Sequence, residues 1–254
     1  MMKMILFLLL FSLAFGQVGK VKRKSDRELA GYVGPVKQVL EEWTPIEKPR
    51  HYIQPGTRCR NHATVYDEQG REIQSSSFSN SCGTDENRNT YTYDAEGNYT
   101  IRYESFHDPK SPPPPPPPMI PPGAKPRATG PPKAVFKYDA QGHKIEKTVI
   151  NSNGDLLYRV MWEWDDKDRM KEQQSFDANG TLTGRSIRRY EGQQRHPLES
   201  TIYGRDGKII FKATYSAYKL NAQGDWIERK EAWEEIGQSP GSTLAFRTIK
   251  YYEK

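Results

Sequence analysis

The five histidines, His51, His62, His107, His143 and His196, are the first place to look for acid–base or metal chemistry, and their spacing offers neither. No pair stands at His-x-x-x-His or His-Glu-x-x-His separation, and no Gly-x-Ser-x-Gly nucleophile elbow occurs. Glu41-Glu42 and Glu234-Glu235 are adjacent carboxylates. On a strand, neighbours point to opposite faces, so neither pair can act as a joint acid and base. Asp165-Asp166-Asp168 has the charge density of a calcium loop without its Gly and distal Glu, and reads as a tight turn. The expectation is no catalytic residue, no metal ligand and no cofactor, with the ligand-binding residues unassigned. A glycosidase needs only two carboxylates on a concave sheet, so a glycan-active enzyme stands as the alternative.

The remaining chemistry is redox. Cys59 and Cys82 flank the segment Tyr66-Asp-Glu-Gln-Gly70 at nearly equal distances, so a hairpin there carries them toward each other and predicts a disulfide. A simple register pairs Cys59 with Phe78 or Ser79, which leaves Cys82 a few residues late unless a bulge or bend intervenes. Closing a loop of about 24 residues stabilises a fold by roughly 3 kcal/mol on the chain-entropy estimate.

These residues must be positioned by the elements around one recurring phrase: a large apolar residue, Asp or Asn, two variable residues, then Gly. It begins at Tyr66, Tyr93, Tyr138, Ile150, Trp164, Phe176, Tyr203 and Leu220. The turn residues are Asp67 and Gly70, Asp94 and Gly97, Asp139 and Gly142, Asn151 and Gly154, Asp165 and Asp168, Asp177 and Gly180, Asp206 and Gly207, Asn221 and Gly224. Asp or Asn opens a turn through its side chain and Gly supplies the positive φ that closes it, so each copy predicts a β-hairpin. Between turns, Tyr158, Val160, Trp162 and Trp164 alternate with Arg159 and Glu163; Ile209, Phe211, Ala213 and Tyr215 alternate with Lys212 and Thr214; Tyr99, Ile101 and Tyr103 alternate with Arg102 and Glu104. One face is aromatic and one charged, and Trp162 and Trp164 read as core. The expected fold is all-β: a twisted, partly rolled antiparallel meander of about 10–13 strands built from repeated hairpins, with almost no helix.

Residues 1–16 read as a signal peptide, since Lys3 precedes an apolar run too short to span a bilayer and Ala14-Phe15-Gly16 resembles a cleavage site. The expected location is therefore periplasmic or extracellular, with no transmembrane segment after cleavage. Residues 17–30 form a basic segment expected to be disordered, 31–110 a first β lobe containing the disulfide hairpin, and 133–254 a second lobe continuous with the first. Between the lobes, residues 111–132 include seven consecutive prolines, which cannot join a central sheet and read as a polyproline spacer or a ligand for an aromatic groove. The 254 residues carry 38 basic and 32 acidic side chains, a net charge of +6. Because the signs are interleaved, nucleic acid is excluded as a partner. Two sequons, Asn98-Tyr-Thr and Asn179-Gly-Thr, fall at turns.

The phrases Tyr66-Asp-Glu-Gln-Gly70, Tyr93-Asp-Ala-Glu-Gly97, Tyr138-Asp-Ala-Gln-Gly142 and Phe176-Asp-Ala-Asn-Gly180 resemble the YD repeat of the RHS family, with the other four copies looser. The resemblance spans roughly residues 60–235; variants of MORN repeats are the nearest rival. It implies a spiralling β-sheet and, in some members, carbohydrate binding. The self-cleaving segment and toxin domain of large members are not recognisable. The reading is a non-catalytic exported module, binding or structural at the cell envelope, with polysaccharide or a protein as partner. The alternatives are the glycan-active enzyme and an interaction or immunity-type partner of a secreted RHS-like toxin.

Overall fold

The computed structural model describes residues 22–46, 53, 56–79, 82, 84–107 and 129–253. The expected signal peptide and most of the proline-rich run, residues 111–128 of 111–132, lie outside them. Fourteen strands run in chain order: β1 (Val36–Pro45), β2 (Cys59–Tyr66), β3 (Glu72–Ser79), β4 (Asp85–Tyr93), β5 (Tyr99–Phe106), β6 (Lys133–Tyr138), β7 (Lys144–Ile150), β8 (Leu156–Trp164), β9 (Met170–Asp177), β10 (Leu182–Arg189), β11 (Glu199–Tyr203), β12 (Ile209–Leu220), β13 (Trp226–Glu235) and β14 (Gly241–Tyr251). Each pairs antiparallel with the next, and β1 pairs with β14, so the meander closes into a barrel. The antiparallel meander is as expected, but it closes fully and has one strand more than the upper end of the expected range. Closure comes from the register Val39 opposite Ile249 and Glu41 opposite Arg247, a pairing between chain ends that no local turn signal encodes.

All eight phrases are turns. At the first, the Asp67 N–H donates to the Arg71 carbonyl, the Gly70 N–H donates to the Asp67 carbonyl, and Asp67 Oδ1 accepts the Arg71 N–H at 2.9 Å. Asp94, Asp139, Asn151, Asp165, Asp177 and Asn221 accept the backbone N–H four residues on in the same way. The copy at Tyr203 differs: Gly204 occupies the opening position, and Asp206 accepts from Lys208 N–H within the turn. Asp168, where the other copies have Gly, takes φ +61°, a region that Asp tolerates better than most side chains.

Cys59 and Cys82 form a disulfide. The register problem is solved at both ends of β3. A bulge separates Val65 from Tyr66, and Cys82 takes a left-handed φ of +66° in the turn between β3 and β4, which bends its side chain back to β2.

An antiparallel meander puts alternate turns at opposite ends. The turns after β2, β4, β6, β8 and β12 share one end, and residues 22–34 cross it as a strap. This corrects the expectation of disorder for residues 17–30 over the described part. The strap contains the helix α1 (Asp26–Leu29), capped by a reciprocal Ser25–Glu28 box that satisfies N–H groups a four-residue helix would otherwise leave open. Backbone N–H groups of Lys24 and Arg27 donate to the carbonyls of Gly142 and Gly70, and Val33 N–H donates to Asp225 Oδ1. No residue of α1 is buried, so the helix itself is held by polar contacts, while Tyr32 of the strap packs against the Val36, Val39 and Tyr66 cluster. At Gly142 the repeat glycine serves twice: its φ is +85°, and a Cβ there would collide with the Lys22 carbonyl oxygen.

The outer face carries ion pairs between neighbouring strands: Lys137–Glu146, Arg185–Glu172, Lys212–Glu199 and Lys219–Glu228. Exposed apolar side chains, among them Val135, Met161 and Ile210, stand on the strands as well. Among the described residues, no helix is long and apolar enough to cross a membrane.

Two substitution sets test this architecture. Gly142→Ala and Gly180→Ala share the positive-φ penalty of ~1–2 kcal/mol, but only the first touches the strap, because nothing lies near Gly180. Limited trypsin digestion should cleave at Lys22–Lys24 faster in Gly142→Ala alone; equal rates would show that the strap is not seated on that turn. Joint replacement of Cys59 and Cys82 by Ser should lower unfolding stability by ~3 kcal/mol in a denaturant titration.

Candidate functional site

The side chains that point inward line a lumen and do not fill it. Two connected chambers, of about 710 and 480 Å3, share Leu29, Ala30 and Tyr32 of the strap together with Met170, Arg188 and Arg247. The inward face is aromatic, as alternation predicts, but it is not purely so. Glu41, Glu72, Lys147, Arg188, Arg229 and Arg247 also line the chambers, which corrects the expectation that charge belongs to the outer face alone.

In the larger chamber, Arg247 on β14 donates through Nε and Nη2 to Glu41 Oε1 of β1 at 2.8 and 2.6 Å. Burial pushes the Glu41 carboxyl up, but the Arg247 guanidinium outweighs it and holds the group below its ordinary value. Arg229 donates to Glu231 Oε1 at 2.7 Å; burial works against its charge, and the Glu231 carboxylate more than restores it. Both guanidinium groups stand over the Trp226 ring, 4.1 and 3.8 Å from its centroid, and Trp226 is only 2 % exposed. Burial raises the Tyr32 hydroxyl to about 12, so it stays protonated and able to donate. Arg188 also faces this chamber; among the described residues no carboxylate pairs with it, and its side chain meets the Tyr190 hydroxyl. Burial lowers His196, which stacks on Tyr218 with ring centroids 5.3 Å apart.

The smaller chamber is lined by Tyr91, Tyr93, Tyr99, Phe136, Trp162 and Trp164. Trp162 and Trp164 were expected to be core; they border the cavity instead, their indole N–H groups donating to Gln173 Oε1 and the Lys144 carbonyl. The strap enters here through Asp26, whose carboxylate accepts from Glu72 N–H, the Tyr93 hydroxyl and Lys144 Nζ. Burial, and then the Asp26 charge, push the neighbouring Glu72 carboxyl up to about 7. Burial depresses Lys147 on the same side.

At the rim, His143 is 4 % exposed, stacked on Trp164, with its ring nitrogens 2.8 Å from Asp139 Oδ2 and Asp168 Oδ1. Asp168 also takes Lys24 of the strap at 2.6 Å. The acidic run considered for calcium is therefore divided: Asp165 is bound to Arg169 within its own turn, and Asp168 ties the strap to the barrel.

Of the residues singled out by sequence, the turn pairs sit at the barrel ends, and Asp168 alone among them borders the larger chamber. The disulfide lies toward the end opposite the strap. The lumenal charges were missed, although a signal existed: Arg229-x-Glu231-x-Trp233 and Ala245-x-Arg247-x-Ile249 place charge within an otherwise apolar period-two series.

No family model matches the chain, and no curated protein matches it in sequence. Among solved structures it is similar to a porin-like protein from Bacteroides uniformis, at 10% identity over 86% of this chain and 99% of that one, with a TM-score of 0.45. It is also similar to a putative outer membrane lipoprotein-sorting protein domain from Vibrio parahaemolyticus, at 11% identity over 89% of each chain and a TM-score of 0.38. A LolA superfamily protein from Nitrosomonas europaea matches at 9% identity over 88% of each chain, with a TM-score of 0.27. Likeness this distant carries no argument about function, which rests on the lumen's own geometry.

Glu72 gives a pH signature with a definite sign. Its folded-state carboxyl titrates near 7 against an ordinary value of 4.5. The folded state therefore binds the proton more tightly, and the stability this confers, full below about pH 4.5, is lost as pH rises through 7. Glu72→Gln should gain stability relative to the parent between pH 5 and 8, with the difference levelling off above; a pH-independent difference in thermal unfolding would refute the assignment.

Proposed function

We propose that this chain is an exported, non-catalytic binding module of the cell envelope, with its ligand seat inside the barrel. The observation that carries the reading is the larger chamber: a partly open cavity of about 710 Å3, within the range of small-molecule sites, bordered by aromatic rings and by guanidinium groups. The strap covers one end of the barrel, over the turns at Gly70, Gly142 and Asp168. A long polysaccharide has no open concave face to lie on once the meander closes, so the ligand is a small molecule or the end of a chain. The regular turn geometry supports kinship with YD-repeat proteins as a small closed member.

One observation favours a second reading, a glycan-active enzyme. Glu72, with its carboxyl near 7, and Asp26 lie beside the aromatic smaller chamber, and a carboxyl with a raised pKa in a cavity is a candidate general acid. Turnover of glycosides that Glu72→Gln abolishes would favour it.

The binding reading is tested with anilinonaphthalene sulfonate, an anionic aromatic dye. Titrated into the native protein, it should bind saturably at one equivalent and accept excitation energy from the lumenal tryptophans. Dye that stays free, or that binds without energy transfer, would remove the lumen as the seat.

A further inference from the structure

The larger chamber combines a surplus of positive charge with flat rings, and that combination narrows the ligand. Of its inward guanidinium groups, Arg247 and Arg229 are each engaged by one carboxylate, Glu41 and Glu231. Arg188, on β10 opposite Ser200 and facing the same space, pairs with no carboxylate among the described residues; its side chain meets the Tyr190 hydroxyl, a neutral partner, so its charge is not balanced. A guanidinium presents a planar fork of donors suited to a carboxylate or phosphate oxygen pair, and an anion seated there balances the charge left over.

The rings decide what carries that anion. Tyr215 borders the same chamber, with Arg229 4.3 Å from its ring centroid, while Trp226 is 2 % exposed and already covered by Arg229 and Arg247. An alkyl chain laid in this space would desolvate guanidinium and carboxylate groups without offering them a hydrogen bond, at a cost. A pyranose ring offers C–H faces to the aromatic rings and hydroxyls to Glu41, Arg229 and the Tyr32 hydroxyl. We infer that the chamber around Arg188 is a binding site for an acidic saccharide of one or two rings, its carboxylate on Arg188 and its ring against Tyr215. This rests on the lumen being the ligand seat.

Digalacturonate is the probe, and its dimethyl ester and the alkyl acid laurate are the comparators. In calorimetry with the native protein, digalacturonate should bind at one equivalent and displace the anilinonaphthalene dye, while the uncharged ester binds at least tenfold more weakly. Arg188→Gln, which leaves no carboxylate stranded, should weaken digalacturonate at least tenfold with an unchanged far-ultraviolet spectrum and melting temperature. Arg188→Lys, which keeps the charge and loses the fork, should fall between. The inference is overturned if the ester binds as well as the acid, if Arg188→Gln binds like the parent, or if laurate displaces the dye and digalacturonate does not. In that last case the lumen reading survives, because the dye still binds; if the dye itself never enters, both readings fall together.

Discussion

Closing fourteen strands on themselves fixes a diameter that side chains alone cannot fill. Eight strands suffice to make a barrel whose interior is just occupied; nearly twice that number leaves space along the axis. Most of the interior follows from that excess. The buried apolar clusters are confined to the wall, around Val36, Val39 and Tyr66 and around Tyr99, Ala134 and Val149, and do not meet at the centre. Inward charges are tolerated because the lumen is wide enough to keep them hydrated or to let them pair across neighbouring strands, as Glu41 does with Arg247. The strap supplies mass that the strands do not, and it divides the remaining volume into two chambers with different walls.

The same turn chemistry does two jobs, according to whether the strap lies over it. At Gly154, Gly180 and Gly207 the glycine answers only to backbone conformation, with nothing nearby. At Gly70 and Gly142 it also makes room for the strap. Where the fourth residue is Asp168 instead, the turn exchanges close approach for charge and holds Lys24 directly. A repeat that looks uniform in sequence is therefore specialised by what is laid over it.

This explains what could be read from the chain alone. The turns were legible because Asp or Asn and Gly act within five residues, and the strand faces because alternation is local. Closure was not, because Glu41 and Arg247 are 206 positions apart and nothing near either announces the other. The ordered strap was not, because Lys22, Arg23 and Lys24 look like any solvated basic run until the carbonyl of Gly142 and the carboxylate of Asp168 are placed beside them. The lumenal site was hidden for a related reason. A charged residue at an inward position of a filled barrel would be an error, so Arg229 and Arg247 gain meaning only once the interior is known to be open. In the disulfide the two levels met: spacing named the partners, and the left-handed turn at Cys82 supplied the reach.

The strap also orders events in time. Its seats on Gly70, Gly142, Asp168 and Asp225 do not exist until hairpins spread across most of the chain have formed, and β1 immediately behind it has no partner on one side until β14 arrives. Hairpins close in microseconds, whereas pairing the two ends of the chain requires ordering everything between them. The strap, synthesised before every strand, is thus among the last elements to be fixed. Until then the nascent barrel is an open ribbon with two unpaired edges, and the N-terminal residues are free to be held by whatever machinery handles the chain.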